Sequence, residues 1–122
     1  MFPALYAILD PGITPVPAIQ LAERLADAGV ELIQFRDKRS AARKIYAEAR
    51  ELAALLAPRG VRFILNDRPD IAAIAGAAGV HVGQEDLPVE EARRICGPRA
   101  WVGVSTHNLE QLREAVGTRK LP

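Results

Sequence analysis

Short apolar runs alternate with amphipathic stretches along the whole chain. Ala4-Leu-Tyr-Ala-Ile-Leu9 is uniformly apolar and is closed by Asp10-Pro11-Gly12. That pattern predicts a strand buried on both faces. Ala18, Leu21, Ala22, Leu25 and Ala26 then recur at helical spacing, with Gly29 placed for a left-handed cap. Further strands are predicted over Glu31–Phe35, Val61–Leu65, Val80–Val82 and Trp101–Val104. Between them lies a helix whose stripe is Ile45, Ala49, Leu52, Ala53 and Leu56, with Ser40 as candidate N-cap and Gly60 beyond its end. A short helix from about Pro69 stops near Gly76, and another runs from Pro88 to Cys96 before Gly97. Asn108, with Gln111 three residues on, resembles a capping box ahead of Leu112, Ala115 and Val116.

Strict alternation of this kind predicts an α/β chain: about five parallel βα units with the helices outside. Right-handed crossovers leave two architectures, a doubly wound sheet or an arc of a barrel. The loop after the first strand, Asp-Pro-Gly-Ile-Thr-Pro, lacks the glycine fingerprint of a dinucleotide fold. A length of 122 residues suits a single domain, residues 1–122. With 16 basic and 15 acidic residues, the charge gives no case for a nucleic-acid or membrane-surface partner. The one cysteine, Cys96, forbids an intramolecular disulfide and is expected to be a packed, inert thiol. No secretory leader is expected, because residues 1–10 lack a basic start and are cut short by Pro11. The weakly apolar run Ile71 to Val82 is too short to span a bilayer. The expected location is the cytoplasm.

Polar side chains collect just past the C-terminal ends of the strands. Asp10 follows the first strand; Gln34, Arg36 and Lys38 close the second; Asn66 and Asp67 follow the third. His81, Gln84 and Asp86 close the fourth, and Ser105 and Thr106 the fifth. In parallel sheets and barrels alike, that edge is where ligands sit. Gln34, Arg36 and Lys38 share one face while the chain stays extended, and two cations there call for an anion such as a phosphate or diphosphate. The plainer reading is a solvated loop around Asp37. Asp67 and Asp86 have the chemistry of Mg²⁺ ligands, although each also sits two residues before a proline and could be a helix N-cap. In the absence of ligand, Arg36 and Lys38 are expected to pair with Asp67 or Asp86. Arg36, Asp67 and Asp86 are expected to converge on one cavity. His81 could be a satisfied strand histidine, Ser105 and Thr106 could cap a helix, and His107 is given no role. No Ser/His/Asp arrangement is legible.

Four strings, Gln34-Phe-Arg-Asp-Lys38, Asn66-Asp67-Arg68, Val80-His-Val-Gly-Gln-Glu-Asp-Leu87 and Gly103-Val-Ser-Thr-His-Asn108, appear in order and spacing similar to the thiamine-phosphate synthase family. The resemblance runs from about Leu5 to Val116. It implies a (β/α)₈ TIM barrel that couples hydroxymethylpyrimidine diphosphate to a thiazole phosphate, releases diphosphate and uses Mg²⁺. By the same resemblance Gln34, His81 and Ser105 line the pyrimidine pocket. Arg36, Lys38 and Asn66 contact the diphosphate, with Arg36 and Lys38 catalytic, and Asp67 and Asp86 hold the Mg²⁺. Five of the family's eight strands are expected here; Gly117–Pro122 does not resemble the family's next segment, and Lys120 inherits no role from it. The expectation is therefore a partial barrel carrying the pyrimidine-diphosphate half of the site, completed or covered by homo-oligomerisation, most simply a dimer. The rival reading is a non-catalytic half-barrel that binds a phosphorylated ligand or only self-assembles. A thiazole tautomerase-like relative is disfavoured, because the diphosphate and metal residues are all present.

Overall fold

A computed structural model describes residues 5–106 and 109–118. Strands β1 (Ala7–Leu9), β2 (Leu32–Phe35), β3 (Arg62–Asn66), β4 (Gly79–Val82) and β5 (Trp101–Val104) alternate with helices α1 (Ala18–Asp27), α2 (Ala42–Leu56), α3 (Pro69–Ala75), α4 (Val89–Cys96) and α5 (Leu109–Thr118). All pairings are parallel and the spatial order is β1-β2-β3-β4-β5. A doubly wound sheet reverses its strand order at a switch point. This sheet has none, which leaves the barrel arc.

The side-chain period of a strand divides the sheet into two faces. Leu9, Ile33, Phe35, Phe63, Leu65, Val80 and Val82 point into one core with Ala22, Ala49, Leu52, Leu56, Ile71, Ala72 and Ala92 from the helices. The alternate positions, including Ile8, Gln34, Ile64, His81 and Gly103, form the other face. Left-handed backbone at Gly29, Gly60, Gly76 and Gly97 ends the successive helical segments, as their positions in the sequence predicted.

Two expectations about local structure change. β1 is not buried on both faces: Leu9 is buried, but Ile8 is 55% and Tyr6 40% exposed. β1 has a neighbour on one side only, and none of the described helices covers the second face of the sheet. Ser40 does not cap α2; the helix begins after Ala41, and the Ser40 amide donates instead to Asp37 Oδ1 at 3.0 Å. Asn108 and His107 lie outside the described residues, as do Ala4, Lys120 and the side chains of Leu112, Ala115 and Val116. No helix among the described residues is long and apolar enough to cross a membrane.

Candidate functional site

Each strand delivers its last polar residues to the same edge, and register decides which of them meet. Leu9 pairs with Phe35, so the next residues along, Asp10 and Arg36, lie side by side. Arg36 Nη1 donates to Asp10 Oδ2 at 2.9 Å. This corrects the expected partner of Arg36: the acid is the neighbour on β1 rather than Asp67 or Asp86, because register brings Asp10 closest. Lys38 does pair with Asp67, Nζ to Oδ2 at 3.1 Å. Arg36, Lys38 and Arg39 line a depression together with Asp10, Gly12, Ile13 and Asp37. Asp86 lines a different one, with Gly83, Gln84 and Pro88. Among the described residues Arg36, Asp67 and Asp86 lie along one sheet edge, and Lys38, which lines the first depression and pairs with Asp67, links its two ends.

Asp67 sits at φ 72°, the one left-handed residue other than glycine among those described. The Arg68 amide closes back onto the Asn66 carbonyl at 3.0 Å, and the Asp67 amide donates to the His81 carbonyl at 2.7 Å. The backbone therefore turns sharply at the end of β3 and turns the Asp67 carboxyl against that of Asp86. Burial first, and then the Asp86 carboxyl, push the Asp67 pKa up; Lys38 opposes them. The helix-cap alternative fails for both acids, since α3 is capped at Arg68 and α4 at Pro88 without a side-chain bond. Asp86 Oδ2 instead accepts the Gly83 amide at 2.6 Å, which braces its own loop. Among the described residues no three His, Cys, Asp or Glu side chains form a metal cluster. The available donor set is two adjacent carboxylates. That suits Mg²⁺, which keeps water and takes phosphate oxygens for the rest of its shell. Beside them Asn66 Nδ2 is buried without a hydrogen-bond partner, a donor that an anion would satisfy.

Gln34 is the buried polar side chain of the sheet, 3% exposed, and its Nε2 donates to the Tyr6 hydroxyl at 2.8 Å. His81 Nε2 and Ser105 Oγ are 2.7 Å apart, while Gln84 Nε2 donates to the Ser105 carbonyl at 2.6 Å. The Ser105 hydroxyl is thus engaged across the sheet. Burial lowers the His81 pKa against the pull of Asp67 and Asp86, so its imidazole is neutral at pH 7. A Cβ on Gly103 would stand 2.7 Å from His81 Nδ1; the missing side chain is what lets the imidazole lie there. Sequence reasoning missed Tyr6 and the pairing role of Asp10. Both lie on the Ile8 face of β1 by alternation, and that was the available signal.

The family model described as thiamine monophosphate synthase matches residues 5–119. The thiamine-phosphate synthase of Koribacter versatilis is 48% identical over 118 residues, covering 93% of this chain and 56% of that protein. That of Shouchella clausii is 44% identical over 112 residues, covering 91% of this chain and 54% of that protein. Among solved structures, thiamine phosphate pyrophosphorylase from Pyrococcus furiosus superposes with a TM-score of 0.83 at 31% identity, over 92% of this chain and 54% of that one. The chain spans about half the length of these relatives.

Proposed function

Because the chain belongs to the thiamine monophosphate synthase family, we propose that it holds hydroxymethylpyrimidine diphosphate for transfer to a thiazole phosphate with release of diphosphate. The observation that carries the reading is the row of charges along one sheet edge. Arg36 pairs with Asp10 and Lys38 with Asp67, whose carboxyl lies against that of Asp86, and the buried Asn66 amide at the end of β3 has no hydrogen-bond partner.

In the reaction the bond from the pyrimidine methylene carbon to the diphosphate oxygen breaks, and the diphosphate leaves with the electron pair. The thiazole nitrogen then donates its lone pair to that carbon, giving a thiazolium. Charge develops on the diphosphate, so groups aimed at it accelerate the step. Arg36 presents a planar fork and Lys38 a point charge, and Asn66 Nδ2 adds a neutral donor. Gln34, His81 and Ser105 form the polar lining for the pyrimidine ring, and Phe35 on the opposite face anchors the strand of Gln34 in the core. A neutral His81 can hydrogen-bond a heterocycle without opposing a developing cation. Asp67 and Asp86 would hold a Mg²⁺ ion, whose chemistry is to neutralise charge on the diphosphate. No protein nucleophile is needed; positioning and electrostatics suffice.

The same reading takes residues 1–122 as one barrel-arc domain of a cytoplasmic enzyme. It covers the open face of the sheet, where Tyr6 and Ile8 are exposed, by self-association. Turnover with both substrates, followed by diphosphate release, tests the transferase reading. Product formation that depends on Mg²⁺ and is lost in Lys38→Ala is expected. Ligand binding with no turnover at any Mg²⁺ concentration would favour a non-catalytic binding module.

A further inference from the structure

Asp10 stands among the cations of the proposed anion site, where a carboxylate would ordinarily oppose the ligand. Its side chain is fixed at both oxygens. Oδ1 accepts the Gly12 amide at 2.8 Å and Oδ2 holds Arg36 Nη1 at 2.9 Å. The Asp10 carbonyl in turn accepts the amides of Ile13 and Thr14 at 3.0 and 3.1 Å, so the β1–α1 turn is closed around this residue. The turn is tight: a Cβ on Gly12 would lie 3.1 Å from Asp10 Oδ1 and 3.4 Å from Arg39 Cζ. Stability gives little reason for the pair. The Arg36 side chain is 41% exposed, although that of Asp10 is only 16%, so solvent screens the guanidinium end of the pair and weakens it. What the pair does is fix the guanidinium. One Nη is committed to Asp10, and Asp10 is committed to the turn, which leaves the other donors of Arg36 in a set direction.

We infer that Asp10 is a positioning residue, which aims Arg36 at the leaving diphosphate and ties the β1–α1 turn to the anion site. The inference rests on the diphosphate reading above. A counter-ion that merely competed with the ligand would lower affinity; one that pre-orients the guanidinium raises it, because less freedom is lost on binding. The two roles predict opposite signs on removal of the carboxylate.

The test is calorimetric titration of inorganic diphosphate, with Mg²⁺, into the full chain and its variants. Arg36→Ala weakens binding. Asp10→Ala is expected to weaken it about tenfold, the lower scale for losing a partner that orients a ligating group. In an Arg36→Ala background the same change should have no further effect, since Asp10 acts through Arg36. Asp10→Asn, whose single carbonyl oxygen can serve Gly12 or Arg36 but not both, should fall between. Thermal melts of each variant establish that the chain is folded, and Asp10→Asn carries the test if Asp10→Ala does not fold. Unchanged or tighter binding by the Asp10 variants would overturn the positioning role while the diphosphate reading stood. So would an equal loss in the Arg36→Ala background. A wild-type chain that binds no diphosphate would overturn both.

Discussion

At Asp67 the chain holds a left-handed conformation that costs a non-glycine residue about 1–3 kcal/mol. The same residue brings a second carboxyl against Asp86. Asp67→Gly should therefore raise the unfolding free energy by about 1 kcal/mol, read in a denaturant titration, while Mg²⁺-dependent ligand binding disappears. A destabilised Asp67→Gly would mean that the Lys38 pair outweighs the strain. Arg36→Ala should weaken diphosphate binding by about 1.5–3 kcal/mol, the usual worth of hydrogen bonds to a charged group. Unchanged calorimetric affinity would remove Arg36 from the site. Cys96 makes the complementary case of a residue without chemistry. Its Sγ donates to the Pro69 carbonyl at 3.5 Å, and burial, helped by Asp70, raises its pKa. The raised value favours the thiol, so thiolate forms only above the usual cysteine range. Alkylation at pH 8 should be slower than for a free cysteine and should accelerate as pH rises further; a rate equal to that of free thiol would contradict this.

At the scale of elements, glycines set how closely β4 and β5 approach. A Cβ on Gly79 would collide with the Trp101 carbonyl oxygen and stand 2.9 Å from its Cβ. Gly79→Ala should destabilise the chain by about 1–3 kcal/mol, the usual range for overpacking. Gly103→Ala should act differently: it displaces the His81 ring from Ser105, so pyrimidine-ligand affinity falls more than stability does. A shared loss in both quantities would show that the ring position is structural. The element order and the helix ends were legible because apolar periodicity and glycine placement are local signals. Gln34 was legible from alternation along β2, whereas β2 ends at Phe35 and Arg36 and Lys38 follow it in the loop with Asp37. The Asp10–Arg36 and Tyr6–Gln34 pairs were not legible, because they depend on the register between β1 and β2, which neither strand encodes alone. The conformation of Asp67 was hidden as well. It arises where the end of β3 must meet His81 of the next strand. Ser40 misled for a related reason, since Asp37 takes the amides of Arg39 and Ser40 and starts α2 later.

At the scale of the molecule, the described helices pack on one face of the sheet; on the other, Leu32, Gln34 and Ile64 are buried while the β1 end is exposed. The helices cover the Phe35 and Val80 side of the sheet; Tyr6 and Ile8 remain exposed on the other. β1 and β5 each have one strand neighbour among the described residues. Unpaired edges and exposed apolar side chains such as Ile8 favour association, so sedimentation at micromolar concentration should give at least a dimer. A monomer with cooperative unfolding would contradict that. The charged edge at the C-terminal ends of the strands is the proposed Mg²⁺-diphosphate site. The most direct test is calorimetry of hydroxymethylpyrimidine diphosphate binding with and without Mg²⁺, on the wild-type chain and on Asp67→Asn/Asp86→Asn. Binding that requires the metal in the wild type and is abolished in the double variant is the predicted result; affinity indifferent to Mg²⁺ and to both carboxylates would contradict it.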